Sequence, residues 1–172
     1  MGTNTPISHL ADRLKQAGRT TQDYFGGLRP EDWQITVYPD GSRWSVHAIL
    51  AHFVSAERAM QTLLRNILSG NPAAATDMDM DTFNEMEVAR LCSRDPHVLL
   101  LDFKTARTAT LTLLNSMSEA DLQRRGLHPW LGNTTLYNII KLIYQHNRVH
   151  QRDMRRVLHT RDKDLAQSEH KP

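Results

Sequence analysis

Tyr144-Gln145-His146-Asn147-Arg148-Val149-His150 places two imidazoles four residues apart. On a helix, residues at that spacing lie one above the other on one face. The neighbours show which face this is. Leu136, Ile139, Ile140 and Ile143 lead into the pair, and Met154, Val157 and Leu158 lead out, at three- and four-residue steps. That period marks a face turned towards a core. Histidines within a core stripe need partners, because an unpaired buried polar group is costly. Neighbouring side chains or water would meet the need, and so would a shared divalent metal.

A third imidazole, His52, falls in a strip of another helix made of Ala48, His52, Ser55 and Ala59. Its companions are all small, which leaves room for close helix approach or for a ligand. Three imidazoles from two facing helices can supply three nitrogens to one ion. A fourth position then stays open for water or substrate, as in catalytic rather than sealed structural sites. Imidazole suits zinc, nickel, iron and copper, so residue type leaves the metal open.

The other titratable groups read differently. Asp153, three residues after His150, could orient a ligating imidazole; a surface pair with Arg152 or Arg156 is the favoured reading. Glu57 lies beyond the stripe of its helix and is expected to face water. His47, five residues before His52, points about 140° away on a helix and is read as a surface or interface residue. His9, His97, His128, His159 and His170 belong to no comparable constellation and are expected at the surface. Cys92 reads as a packing residue rather than a nucleophile. Trp44 and Trp130 read as bundle-end packing that could also line a pocket mouth. Arg148, Arg152, Arg155, Arg156 and Arg161 make one helix end basic, which favours solvation and the helix C-terminus over nucleic acid.

Four long amphipathic helices must position these residues. The first begins near Ser8, follows Leu10, Leu14, Ala17, Thr21 and Tyr24, and ends at Gly26-Gly27. Pro30-Glu31-Asp32-Trp33 suits one short helical turn, and Pro39-Asp40-Gly41-Ser42 is a turn signal. The second runs from about Trp44 to Leu68, with Ser42 or Ser45 as its cap. Residues 71–80 read as a loop, and Asp81 to Leu91 as a short helix. The third starts at Pro96 behind an Asp95 cap and buries Leu99, Phe103, Ala106, Thr110 and Met117. Ser118 opens another short turn, and residues 126–133, with Gly126, Pro129 and Gly132, read as a connection. The fourth covers about Thr134 to Leu158. No stretch alternates convincingly with period two. The expected fold is all-α: a four-helix bundle in one domain over residues 1–160, with a mobile charged tail over 161–172.

Trp44-Ser45-Val46-His47-Ala48-Ile49-Leu50-Ala51-His52 resembles the Trp-Ser-x-x-x-x-x-x-His signature of the DinB/YfiT-like superfamily of proposed metalloenzymes. The Asp40-Gly41-Ser42-Arg43 lead-in and His146-x-x-x-His150 fit the same pattern, and Phe83-Asn84-Glu85 is similar to an Asn-containing segment of some members. The likeness spans the chain from its first helix to its fourth. It implies an up-down-down-up bundle with one metal held by His52, His146 and His150, and it implies dimers. Members include enzymes that use bacillithiol or mycothiol and proteins described as metal-dependent hydrolases.

Composition narrows the classes. With 172 residues, 40% of them hydrophobic and 23% charged, the chain suits one globular domain. A formal net charge of +2 demands neither nucleic acid nor membrane. A single cysteine excludes an internal disulfide and agrees with a reducing compartment. No apolar run approaches the roughly 20 residues of a membrane span, so a cytoplasmic protein is expected. The expected function is that of a metal-dependent enzyme, a hydrolase or low-molecular-weight-thiol S-transferase acting on a small molecule. Zinc or nickel is the foremost metal, iron or manganese the next. The competing expectation is a non-catalytic metal-binding or stress-response interaction protein. A homodimer is expected because Phe25 lies outside the first helix's seam and Val98-Leu99-Leu100-Leu101 covers more than one helix face.

Overall fold

The computed structural model describes residues 5–71 and 79–168. The helices are α1 (Pro6–Gly26), α2 (Val46–Leu68), α3 (Met80–Leu91), α4 (Pro96–Asn115) and α5 (Leu136–Ser168). Short 3-10 turns at Pro30–Asp32 and Asp121–Gln123 and one hairpin, β1 (Arg125–His128) with β2 (Gly132–Thr135), complete the chain. The four long helices of the sequence are α1, α2, α4 and α5. Their caps are those the residue types call for. Thr5, Ser45, Asp79 and Asp95 each accept a backbone N–H of the first helical turn. The loop reading of residues 71–80 lies mostly outside the described residues.

Two apolar clusters set the direction of each helix. One joins Phe25 at the end of α1, Ile49 and Phe53 at the start of α2, Leu99 and Phe103 at the start of α4, and Met154 and Leu158 late in α5. The other joins Leu10 and Leu14 of early α1, Leu64 and Ile67 of late α2, Leu114 of late α4, and Ile139 and Ile143 of early α5. So α1 and α5 run one way and α2 and α4 the other, the up-down-down-up order. α1 packs on α4 and α5, and α2 packs on the same two helices and on α3; the four long helices form an all-α four-helix bundle.

A buried polar layer links the helices. Arg107 of α4 donates from Nε and Nη2 to the Glu57 carboxylate of α2 at 2.8 and 2.9 Å, and from Nη1 to the Leu14 carbonyl of α1 at 2.9 Å. Its Nη2 also lies 3.2 Å from the Asn147 amide of α5, which accepts in the orientation its neighbours favour. Thr110 donates to Glu57 at 2.6 Å, and Gln151 of α5 donates to Thr21 of α1 at 2.6 Å. Gly18 makes the space: a Cβ there would stand 3.1 Å from Arg107 Cγ.

Several expectations need correction. Glu57 does not face water; it is buried in its bidentate pair with Arg107. His47 is buried as well, with Nε2 3.1 Å from the Arg94 carbonyl. His128 is buried, not exposed. Phe25 belongs to the core and stacks on Trp33 at 5.7 Å, so it offers no surface to a partner. The connection at 126–133 is mostly an antiparallel hairpin, Arg125 opposite Thr135 and His128 opposite Gly132. Its three-residue loop ends at Gly132, φ +62°, a left-handed position that suits glycine. Its four-residue strands are too short to show alternation. Finally, α5 continues past Leu158 to Ser168 through most of the stretch read as a tail. Arg161 reaches Asp32 at 2.6 Å and Arg29 reaches Asp162 at 2.8 Å, which ties this extension to the 3-10 turn after α1. Beyond the bundle core it has no apolar stripe, and periodicity could not reveal it.

Candidate metal centre

His52 stands on α2, and His146 and His150 stand one turn apart on α5. Their side chains converge. Nε2 of His146 lies 2.9 Å from Nε2 of His52 and 3.1 Å from Nε2 of His150. Bonds of about 2.0–2.1 Å to a tetrahedral ion put ligand nitrogens about 3.3 Å apart, close to this spacing. Within the described residues, these three are the group of metal-ligating side chains close enough to hold one ion.

Protons alone serve the trio poorly. An imidazole nitrogen has one in-plane site, and that of His146 Nε2 faces both other rings. One proton there can serve one contact, not two; a shared cation serves all three. The rings are also poised to stay neutral. Burial first, then the other two imidazoles, pushes His52 well below its ordinary value. Burial, then His150, lowers His146 to about 3, and burial lowers His150 to about 4. Neutral imidazoles with free lone pairs are what a divalent ion requires.

A residue that sequence reading missed holds His150 in place. Tyr38 Oη lies 2.7 Å from His150 Nδ1 and donates to Asp153 Oδ2 at 3.1 Å. Burial, then the Asp153 carboxylate, raises the Tyr38 pKa, so the phenol keeps its proton. With its O–H donated to Asp153, the phenol oxygen accepts from His150 Nδ1–H, and the Nε2 lone pair is left free towards the trio. Asp153 thus reaches His150 through Tyr38 and also pairs with arginines, Arg152 and Arg156 lying 3.3 and 3.8 Å from its carboxylate. Tyr38 arrives on a chain reversal. Val37 N–H donates to Trp44 O at 2.9 Å, Val46 N–H donates to Ile35 O at 3.0 Å, and Gly41, φ +67°, makes the turn between. The returning arm delivers Trp44, whose ring packs on His52 at 4.6 Å. Among the described residues His52 Nδ1 has no hydrogen-bond partner, so that edge of the ring is held by packing.

Two of the trio, His52 and His146, border a cavity of about 310 Å³ whose lining also includes Ala56, Ala59, Phe83 and Trp130. Ala56 and Ala59, small residues of α2, leave this space. It is almost wholly apolar, with Asn84 of α3 and His128 of β1 among its few polar side chains. Trp130 is 58% exposed, and its ring lies 6.3 Å from that of His146. Burial pushes up the pKa of Cys92, which packs beside the core as a small residue would. The basic end of α5 is largely engaged: Arg152 and Arg156 meet Asp153, Arg161 meets Asp32, and Arg155 lies 5.1 Å from the Tyr24 ring centre. No helix among the described residues is long and apolar enough to cross a membrane.

An up-down-down-up bundle whose facing helices present three imidazoles beside an apolar cavity defines a recognisable class of helical proteins. The chain belongs to the DinB superfamily, whose model matches residues 13–154. Among solved structures it is similar to YfiT from Bacillus subtilis, described as a probable metal-dependent hydrolase with an unusual four-helix bundle topology. That match has 14% identity and a TM-score of 0.77, and covers 94% of this chain and 90% of that one. It is also similar to the mycothiol-dependent maleylpyruvate isomerase, at 11% identity and a TM-score of 0.74. There the match covers 90% of this chain and 63% of that one. At these identities the likeness is one of fold. No curated protein matches the sequence significantly.

Proposed function

We propose that this protein is a metal-dependent enzyme in which His52, His146 and His150 hold one divalent ion, zinc or nickel foremost and iron or manganese next. The observation that carries the reading is the convergence of three Nε2 atoms at the edge of an apolar cavity. A bound ion supplies Lewis acidity that makes a water or thiol a better nucleophile near neutral pH. The protein's own residues do the rest. Tyr38 and Asp153 hold His150 in its ligating tautomer, Trp44 fixes the plane of His52, and the cavity receives a small molecule and excludes bulk water.

Two reaction classes suit this arrangement: hydrolysis of a small substrate, and its transfer to a low-molecular-weight thiol. The similar structures support both, one described as a probable metal-dependent hydrolase and the other as mycothiol-dependent. The cavity against His52 and His146 favours catalysis over a sealed metal-binding role. Elemental analysis of protein purified without a histidine tag, followed by paired screens of ester hydrolysis and thiol transfer, tests the reading. Turnover that depends on added metal and disappears in His150→Ala is expected. Absence of metal uptake on titration with zinc and nickel would overturn it.

A further inference from the structure

The cavity beside the histidines is apolar but contains two side chains with N–H donors that are unused among the described residues. His128 is only 3% exposed, and its Nδ1 accepts from the backbone N–H groups of Trp130 at 3.1 Å and Leu131 at 3.3 Å. Those two bonds settle the tautomer of the neutral ring: the proton is on Nε2. Among the described residues Nε2 has no acceptor. Asn84 is 7% exposed, and its side-chain amide likewise makes no hydrogen bond there. It shares a helical face with Met80 and Phe83, which also line the cavity. Both residues line the cavity, and their unpartnered polar atoms stay accessible from it, so they are open to a ligand that enters.

Among the described residues no lysine, arginine or carboxylate lines this space. In the metal-free protein a charged ligand group would therefore be desolvated there without a counter-charge, whereas a neutral oxygen would have the two N–H donors on offer. We propose that His128 Nε2–H and the Asn84 amide anchor a neutral carbonyl oxygen of an otherwise apolar, ring-sized molecule in this cavity. The ligand class is thus an aryl or short-alkyl ketone, ester or amide, with its hydrocarbon part against Phe83, Met60 and Trp130. The hairpin acquires a function as well: its loop backbone fixes the donor tautomer. Calling the anchored molecule a substrate rests on the three-histidine reading above; its binding does not.

The test uses the full-length protein stripped of metal and titrated by NMR with acetophenone, with ethylbenzene, which has the same shape without the oxygen, and with benzoate. The readout is the ratio of acetophenone to ethylbenzene affinity, which general loosening of the cavity does not move. In His128→Phe the ratio should fall about tenfold, the effect of leaving a buried carbonyl unpaired. In His128→Gln, which keeps a donor, it should stay within about twofold. Asn84→Leu, on a different element, should lower the ratio as well and serves if the hairpin variant does not fold. An unchanged ratio in His128→Phe or, failing that, Asn84→Leu overturns the proposal, as does tighter binding of benzoate than of acetophenone by the wild type. Metal uptake, measured in parallel, separates the two readings. A protein that takes up no metal but shows the expected ratios refutes the metal centre and keeps the carbonyl anchor.

Discussion

Tyr38 Oη lies 2.7 Å from Nδ1 of His150, across 112 positions of sequence. The contact makes a loop residue part of the candidate metal centre, because the phenol and Asp153 together decide which nitrogen of His150 is bare. Tyr38→Phe removes the acceptor for Nδ1–H and leaves the ring packing in place. Metal affinity is expected to fall roughly 10- to 100-fold, with Asp153→Asn in the same direction. Competition titration against a zinc chelator measures both. Affinities equal to wild type would show that His150 needs no orienting partner.

His150→Ala should abolish tight metal binding and leave the bundle folded. Two apolar clusters and the polar layer already hold the helices without an ion, unlike small domains whose folding is metal-driven. Circular dichroism of the stripped wild type and of the variant checks this. A largely unfolded metal-free wild type would refute it.

The metal-free protein should lose stability on mild acidification. His146 and His150 have folded pKa values of about 3 and about 4, and His52 lies well below 6.5. Between about pH 6.5 and 4 the unfolded chain therefore binds more protons than the folded one, so stability rises with pH. The full contribution is present above about pH 6.5 and fades as pH falls towards 4. Urea midpoints at pH 7.5, 6 and 5 should decline in the stripped wild type, and less steeply in His146→Phe. Parallel pH dependence of the two proteins would contradict the assignment.

Arg107→Ala leaves the Glu57 carboxylate buried without its partner, and should cost about 3–5 kcal/mol. Replacing both, Arg107→Met with Glu57→Leu, should recover much of that loss. Denaturant unfolding of the single and double variants decides it. Strictly additive losses would mean the pair is not coupled.

Self-association remains a prediction, now resting on a smaller surface. Leu99 is buried and Leu100 packs against the core, which leaves Val98 at 39% and Leu101 at 63% exposure. A homodimer through this face should dissociate in Leu101→Lys. Light scattering over a dilution series reads the mass, and a constant monomer in the wild type would dismiss the dimer.

Much of the frame was legible in the residues. Stripes of period 3.6 mark the helices, Ser45 and Asp95 mark starts, and the spacing of His146 and His150 puts two imidazoles on one face. What escaped depends on pairings between distant residues. Glu57 looks like a surface carboxylate until Arg107, 50 positions away, is brought beside it. Tyr38 sits in a loop with no periodic context. His128 is buried by a hairpin of four-residue strands. The residues of α5 beyond Leu158 bury no stripe; their contacts to the rest of the fold are ion pairs, Arg161 with Asp32 and Asp162 with Arg29.

Arg107 also bears on how many ways the bundle can close. Long helices with leucine-rich faces can slide past one another by a turn, about 5.4 Å, and still bury hydrocarbon. Here the guanidinium meets the Leu14 carbonyl, the Glu57 carboxylate and the Asn147 amide at once, one from each of the other three helices. Any slipped alignment would strand a cation among leucines. The side chain thus works as an alignment key: only one axial setting of the four rods satisfies it, and that setting brings the imidazoles of α2 and α5 level with each other.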